Sequence, residues 1–170
     1  SGMDVPPAEN AAWINVSLPT VWHAKNGKHQ CGWLTRTVET ADLPPGRRLL
    51  RCARLPGHST IWIDGVLVAR HDGPVSFEVD LSAQLAVPGP HRIAIGMAQN
   101  DATSWAHDAT RYAGEITLET RPLAAIDAVR VLPSVRDLRM GLEITTSGVP
   151  DGAQVQAVVS HRGRQVLSIP

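Results

Sequence analysis

Short runs in which apolar and polar residues alternate cover most of the chain, and this period of two predicts β-strands. The runs are rich in Val, Ile and Thr, and none carries the periodicity of an amphipathic helix over a helical length. In the first part of the chain, the predicted strands are residues 13–17, 33–40, 48–55, 59–63, 66–70, 76–81, 91–98 and 115–120.

Turn-forming residues separate these runs at roughly ten-residue intervals, which is the spacing of a β-sandwich or jelly roll. Clusters of proline and glycine at 43–46, 72–74 and 88–90 interrupt the strand pattern. Proline cannot donate to a strand ladder, and glycine adopts positive φ freely. The sequence therefore predicts an all-β fold, a β-sandwich or jelly roll.

The pair Asp64-Gly65 predicts a tight β-hairpin between strands 59–63 and 66–70. A two-residue loop between twisted strands needs positive φ at both central positions, which Asp tolerates and Gly adopts easily. Because side chains alternate along a strand, Ile61 and Ile63 should face one side of the sheet and Trp62 the other. We expect Trp62 to be a core residue.

A second segment follows Pro122, with predicted strands at 126–132, 136–146, 153–160 and 164–168. An immunoglobulin-like module needs about seven strands, so this segment either adds to the first domain or is an incomplete second domain. We favour the incomplete domain. Its unpaired strands would expose edges, which predicts a homo-oligomer formed through edge strands.

The charge balance argues against polyanionic partners, because Lys plus Arg and Asp plus Glu both number 16. No basic face for nucleic acid or anionic lipid is expected, and no stretch approaches the roughly 20 apolar residues of a membrane span. Ser1-Gly2-Met3 resembles a cloning remnant, and residues 1–10 as a whole are assigned to this remnant and an N-terminal extension. The cellular compartment stays open.

The chain has two cysteines and seven scattered histidines, and neither set has the spacing of a metal site. We interpret Cys31 and Cys52 as small buried apolar residues rather than a disulfide, and we expect no metal or cofactor. Five Trp accompany one Phe and one Tyr, so most Trp should fill core volume. Trp22 and Trp105 are the two expected to be partly exposed.

Five ordered segments resemble the N-terminal sugar-binding jelly-roll domain of glycoside hydrolase family 2, the family of β-galactosidases, β-glucuronidases and β-mannosidases. The aromatic-arginine strand is matched by Trp33 and Arg36, and the Asp-Gly hairpin is followed by a His-containing bend and a Phe-x-x-Asp-Leu strand. The matching segments are WINVSLPTVW (13–22), CGWLTRTVET (31–40), GHSTIWIDGVLVARHDGPVSFEVDLSAQL (57–85), PGPHRIAIGMAQN (88–100) and YAGEITLETRP (112–122).

The resemblance implies a jelly-roll, galactose-binding-like β-sandwich over residues 11–123 and a partial immunoglobulin-like segment over 124–170. It places the catalytic glutamates of the family in a TIM barrel, which needs about 250 residues and does not fit in this chain. We therefore expect no catalytic residue here. The segment Tyr112-Ala113-Gly114-Glu115-Ile116 departs from the family strand by lacking its arginine, which weakens any role in completing a catalytic pocket.

The candidate sugar-binding site is the polar, irregular stretch between residues 98 and 112. Aromatic rings stack on the apolar face of a sugar, while amides and carboxylates bind its hydroxyls. In the family, the corresponding loop reaches the mouth of the barrel, and Asn100 and Asp101 stand nearest that position. A surface loop whose Trp105 docks on a neighbouring domain is the alternative. The candidate residues are Asn100, Asp101, Trp105, Asp108 and Tyr112.

Three functions fit these observations. The first is a non-catalytic carbohydrate-binding or scaffolding domain of a larger family 2 glycosidase, whose partners are carbohydrate and the rest of the parent enzyme. The second is an autonomous lectin-like module, and the third is an accessory sandwich of another carbohydrate-active enzyme, such as an esterase or rhamnosidase. The chain alone is expected to be inactive, and the sugar and linkage are not determined by the sequence.

Overall fold

The computed structural model describes residues 3–21, 31–55, 57–98 and 112–169, and every regular element in these ranges is a β-strand. The all-β prediction is confirmed. None of the described residues forms a helix long and apolar enough to cross a membrane. The strands are β1 (Thr20–Val21), β2 (Cys31–Glu39), β3 (Arg47–Cys52), β4 (His58–Ile63), β5 (Val66–Asp72), β6 (Phe77–Asp80), β7 (Pro90–Ala98), β8 (Tyr112–Ala113), β9 (Ile116–Arg121), β10 (Ala125–Ser134), β11 (Arg139–Ser147), β12 (Ala157–His161) and β13 (Arg164–Ile169).

The chain divides into two compact units, residues 1–121 and 122–170. In the first unit, antiparallel sheets of order β2-β7-β4-β5 and β6-β3-β9 accompany the short pair β1-β8. Side chains from both larger sheets join one hydrophobic core, with Ile61 and Ile95 from the first sheet and Leu50 and Cys52 from the second. The unit is therefore a β-sandwich.

The hairpin predicted at Asp64-Gly65 is confirmed, with φ angles of 50° and 83° at these two residues. Ile61 and Ile63 belong to the core. Trp62 faces the other side of the sheet, is only 8 % exposed, and has its ring centroid 6.4 Å from that of Trp33. The hairpin is thus covered on both faces, as its sequence predicts.

The Asp64 side chain ties this turn to β7. Its carboxylate accepts a hydrogen bond from the Arg92 amide at 2.7 Å and lies 2.6 Å from Nδ1 of His91. His91 is buried, and its Nε2 lies 2.7 Å from the Val87 carbonyl oxygen. Both ring nitrogens therefore face an acceptor, an arrangement that suits the doubly protonated imidazolium.

The strand predicted at residues 13–17 is wrong, because the chain there is irregular and pairing begins only at Thr20. Tertiary contacts explain the difference. The Arg92 guanidinium donates to the Pro7 carbonyl at 2.6 Å and lies 5.8 Å from the ring centroid of Trp13. Trp13 therefore packs against an arginine of β7 instead of joining a ladder.

In the second unit, two antiparallel hairpins, β10–β11 and β12–β13, do not pair with each other within the described residues. Their apolar side chains stay substantially exposed, including Val129, Val131 and Val158. Isolated two-stranded hairpins are marginally stable in water. The assignment of this unit to a partial immunoglobulin-like domain stays a prediction.

Candidate functional site

Most of the predicted sugar site, namely Asn100, Asp101, Trp105 and Asp108, lies outside the described residues. Tyr112 is described, as the first residue of β8, and Ala98 ends β7 on the other side of the segment. Ala98 and Tyr112 are therefore the described residues that flank this stretch of the sequence. The surroundings of Ala98 and Tyr112 define the candidate site.

Around Ala98, the sheet brings together the ends of four strands. Ala98 pairs with Cys31 at the start of β2 and with His58 at the start of β4, and His58 pairs in turn with Asp72 at the end of β5. Residues directly paired across strands share a face. This row lies on the Trp62 side of the sheet, because His58 and Trp62 are four residues apart along β4.

His58 and Asp72 form an ion pair in this row through Nδ1 and Oδ1. Their side chains remain 48 % and 79 % exposed, so the pair stabilises the fold very little. A solvent-facing imidazole and carboxylate together present donor and acceptor atoms that suit sugar hydroxyls. The sequence analysis did not select this pair, because only the register of β4 and β5 brings its members together.

Tyr112 is half-buried and lies beside the loop that connects β3 to β4. The Arg54 guanidinium carbon is 5.9 Å from the centre of the Tyr112 ring, a cation–π distance. Gly114 permits this approach, since a Cβ there would lie 3.0 Å from the Arg54 amide nitrogen. The amide of Gly114 also donates to the Arg54 carbonyl at 2.8 Å. The Arg54 guanidinium therefore contacts the Tyr112 ring from one side.

A separate groove of about 810 Å³ opens along β2 and β9. The described residues that line it are mainly aliphatic, and none of them has an aromatic ring on which a sugar could stack. Among the described residues, no group of three or more His, Cys, Asp or Glu side chains could hold a metal ion. Among the described residues near the candidate segment, the groups that could bind a polar ligand are Tyr112, Arg54 and the His58–Asp72 pair.

Both cysteines are free thiols in the structure. Cys52 is fully buried in the core, and burial raises the pKa of its thiol to about 12. Cys31 is half-buried at the start of β2.

These features define the first unit as an all-β sandwich that carries an exposed His58–Asp72 ion pair and an Arg54–Tyr112 cation–π contact. No family model and no curated protein matches the chain. Among solved structures, it is similar to an FMN-binding β-glucuronidase from Faecalibacterium prausnitzii L2-6, at 20 % identity and a TM-score of 0.69, over 96 % of this chain and 30 % of that one.

Two further structures show the same relation. One is another β-glucuronidase from Faecalibacterium prausnitzii, at 21 % identity and a TM-score of 0.65, covering 91 % of this chain and 33 % of that one. The other is a β-glucuronidase from Ruminococcus gnavus in complex with D-glucaro 1,5-lactone, at 14 % identity and a TM-score of 0.64, covering 92 % and 32 %. The chain therefore shares a fold with about one third of the length of these enzymes.

Proposed function

We propose that this chain is a non-catalytic part of a larger family 2 glycosidase, with a sugar-binding jelly roll at residues 11–123 and a partial immunoglobulin-like domain at 124–170. The observation that carries the proposal is the asymmetric coverage, because 96 % of this chain matches only 30 % of a β-glucuronidase. Such coverage is expected of accessory domains, and five sequence segments resemble the family's sugar-binding domain in the right order.

The environment of the carboxyl groups supports a non-catalytic role. Hydrolysis of a glycosidic bond needs a carboxylic acid with a raised pKa beside a second carboxylate. Glu78 and Glu119 do come close together, but both bind the Arg121 guanidinium, and Glu119 Oε2 lies 2.9 Å from its Nη2. The Arg121 hydrogen bond lowers the pKa of Glu119. This pair is suited to an ion-pair network and not to proton donation.

We assign the substrate-facing role to the 99–112 segment, with Tyr112, Asn100, Asp101, Trp105 and Asp108 contacting sugar at the entrance of the parent's active site. The exposed His58–Asp72 pair and the Arg54–Tyr112 contact support this assignment, because they add polar groups beside Ala98 and Tyr112, the two described residues that flank the segment.

Two activity measurements test the proposal. The 170-residue chain should not hydrolyse 4-nitrophenyl β-D-glucuronide or β-D-galactoside, whereas the longer polypeptide encoded by the same reading frame should hydrolyse one of them. In that polypeptide, Trp105→Ala and Asp101→Ala should raise KM several-fold with a smaller change in kcat, while the exposed His161→Ala should change neither. Turnover by the 170-residue chain would refute the proposal.

The solvent-facing polar groups around Tyr112 also favour a second candidate, an autonomous lectin-like module. Calorimetric titration of the 170-residue chain with glucuronic acid, galactose or mannose at millimolar concentration separates the two functions. Saturable heat that disappears in Trp105→Ala and persists in Trp13→Ala supports the lectin. Absence of heat supports the scaffold.

A further inference from the structure

The groove along β2 and β9 is bordered by the edges of both sheets of the sandwich. β2 is the terminal strand of the β2-β7-β4-β5 sheet, and β9 is the terminal strand of the β6-β3-β9 sheet. Among the described residues, neither strand has a partner on its outer edge. Consecutive residues 34–39 and 115–118 line the groove, so it exposes the strand edges themselves as well as side chains.

The floor of the groove belongs to the hydrophobic core. Leu50, Ile93 and Ile95 line it, although each is at most 6 % exposed. Leu34 and Leu118 line it from the two edge strands and pack against the same core. An extended chain whose apolar side chains alternate would bury those side chains here while its backbone paired with an open edge.

Three charged residues among those that the structure describes, Arg36, Glu39 and Glu115, line the groove. Glu39 and Glu115 are neighbours of Val38 and Ile116, which pack on the core, so alternation directs these two glutamates away from it. Arg36 is the charged lining residue that faces inward. It lies on β2 between Leu34 and Val38, which both pack on the core, so alternation directs Arg36 to the same inner side. It lines the groove, and no carboxylate pairs with it in the described part of the chain. An inward-facing charge on an edge strand discourages unspecific pairing and favours an occupant with a carboxylate at the matching position.

We propose that this groove accepts an extended β-strand with alternating aliphatic residues and one acidic residue opposite Arg36. The strand would come from the remainder of the parent glycosidase polypeptide, a source that rests on the function proposed above. It would pair with β2 and complete the sandwich between the two sheets. A sugar is a poor occupant, because no aromatic ring is found among the described residues of the lining.

A fused strand tests the groove without any assay of glycosidase activity. The probe is Val-Thr-Val-Thr-Asp-Thr-Val-Thr-Val, joined to the N-terminus of the 170-residue chain by about 15 Gly/Ser residues, which reach about 20 Å on average. The probe reads the same in both directions, so it can pair parallel or antiparallel. A control fusion replaces two Thr residues of the probe with Pro, and a second control replaces its Asp with Lys.

The Asp probe should raise the melting temperature by about 4 °C or more over the proline control, and should slow amide exchange along β2 at least tenfold. In the unchanged chain, the Asp probe should raise the melting temperature more than the Lys probe. In an Arg36→Glu chain, the Lys probe should raise it more than the Asp probe. Equal melting temperatures for the Asp probe and the proline control would overturn the groove as a strand acceptor. Equal effects of the Asp and Lys probes would overturn the role of Arg36.

The source of the strand has a separate test. In sedimentation experiments, the unfused 170-residue chain should not self-associate through this groove. Any self-association that it shows should therefore persist in the Arg36→Glu variant and in the fusion with the Asp probe. Self-association lost in both proteins would overturn the proposed source and assign the groove to a second copy of this chain. Activity of the parent enzyme does not enter either measurement, so failure of this inference and failure of the proposed function are distinguishable.

Discussion

The contact of His91 with Asp64 predicts a defined pH dependence of folding stability. The hydrogen bonds of the His91 ring with the Val87 carbonyl and with Asp64 raise the pKa of His91, and burial opposes them only in part. For Asp64, burial favours the neutral form, but the His91 hydrogen bond, the Arg92 amide and the His91 charge together lower the pKa. The folded state therefore favours both charged groups.

The sign of each effect follows from linkage. The His91 contribution is complete below the ordinary histidine value of 6.5 and is lost as the pH rises through the raised, folded-state pKa. The Asp64 contribution is complete above the ordinary value of 3.8 and is lost as the pH falls through the lowered one. The hairpin anchor is thus strongest between these two ordinary values.

The perturbation is His91→Gln, which keeps one polar contact and removes the charge. His91 has a 10 % exposed side chain, but that of Asp64 is 48 % exposed, so solvent screens part of the interaction. We expect a loss of about 1.5 kcal/mol at pH 5.5, near the lower end for hydrogen bonds to charged groups. With a urea m-value of about 2 kcal/mol/M, the unfolding midpoint should fall by about 0.7 M.

Urea unfolding followed by tryptophan fluorescence is the assay. All five Trp, at positions 13, 22, 33, 62 and 105, belong to the first unit, so the signal reports on the sandwich that contains His91. The difference between wild type and His91→Gln should shrink between pH 5.5 and pH 9.0. The exposed His58→Gln is the matched control and should shift the midpoint by much less at both pH values.

A difference between wild type and His91→Gln that stays constant, or grows, from pH 5.5 to pH 9.0 would refute the reasoning. It would mean that the neutral ring makes the same contacts as the imidazolium. An NMR titration of the His91 ring carbons provides an independent check, since its pKa must lie above 6.5 in the folded protein.

Two further predictions concern packing and thiol accessibility. Gly96→Ala should destabilise the sandwich by about 1–3 kcal/mol, because its Cβ would lie 2.6 Å from Thr60 Oγ1 and 3.0 Å from the Trp33 ring. Gly141→Ala is the control, because its Cβ would lie 3.5 Å from Leu132, an ordinary contact. Calorimetry should show a smaller loss of stability for Gly141→Ala than for Gly96→Ala, and equal losses would contradict the prediction. With a thiol-specific disulfide reagent at pH 8, Cys31 should react in the native protein and Cys52 only after unfolding, because Cys52 is fully buried. Fast reaction of both thiols in the native protein would contradict the core assignment.

Local patterns in the sequence predict much of this fold, because a strand or a two-residue turn depends on neighbouring residues. Alternation locates β4 and β5, and the Asp-Gly pair predicts the turn with positive φ at both positions. The failure at residues 13–17 has the opposite cause. Their alternation is as good, but Arg92 recruits Trp13 and Pro7 from a distance of many residues, which no local pattern reveals.

The same limit applies to the candidate site. The composition of the 98–112 segment points to sugar chemistry, and Tyr112 is the member of that set that the structure describes. Its neighbour Arg54 lies far away in the sequence, as do the partners His58 and Asp72 from Ala98. The contact of His58 with Asp72 depends on strand register, and the contact of Arg54 with Tyr112 depends on the close approach of Arg54 to Gly114. Local sequence patterns therefore predict neither contact.

Arg36 shows how one residue can satisfy the strand pattern and still carry information beyond it. In sequence, it stands in an alternating run and matches a position of the family's aromatic-arginine strand. In the sandwich, it occupies an inward position on an edge strand, between two residues that pack on the core. Transfer of an arginine to an aliphatic interior is costly unless an anion compensates it, so an occupant that buried this position without a carboxylate would destabilise the complex. Arg36 is exposed while the groove is open, and its inward position therefore favours a strand with a carboxylate among those that could close the sandwich.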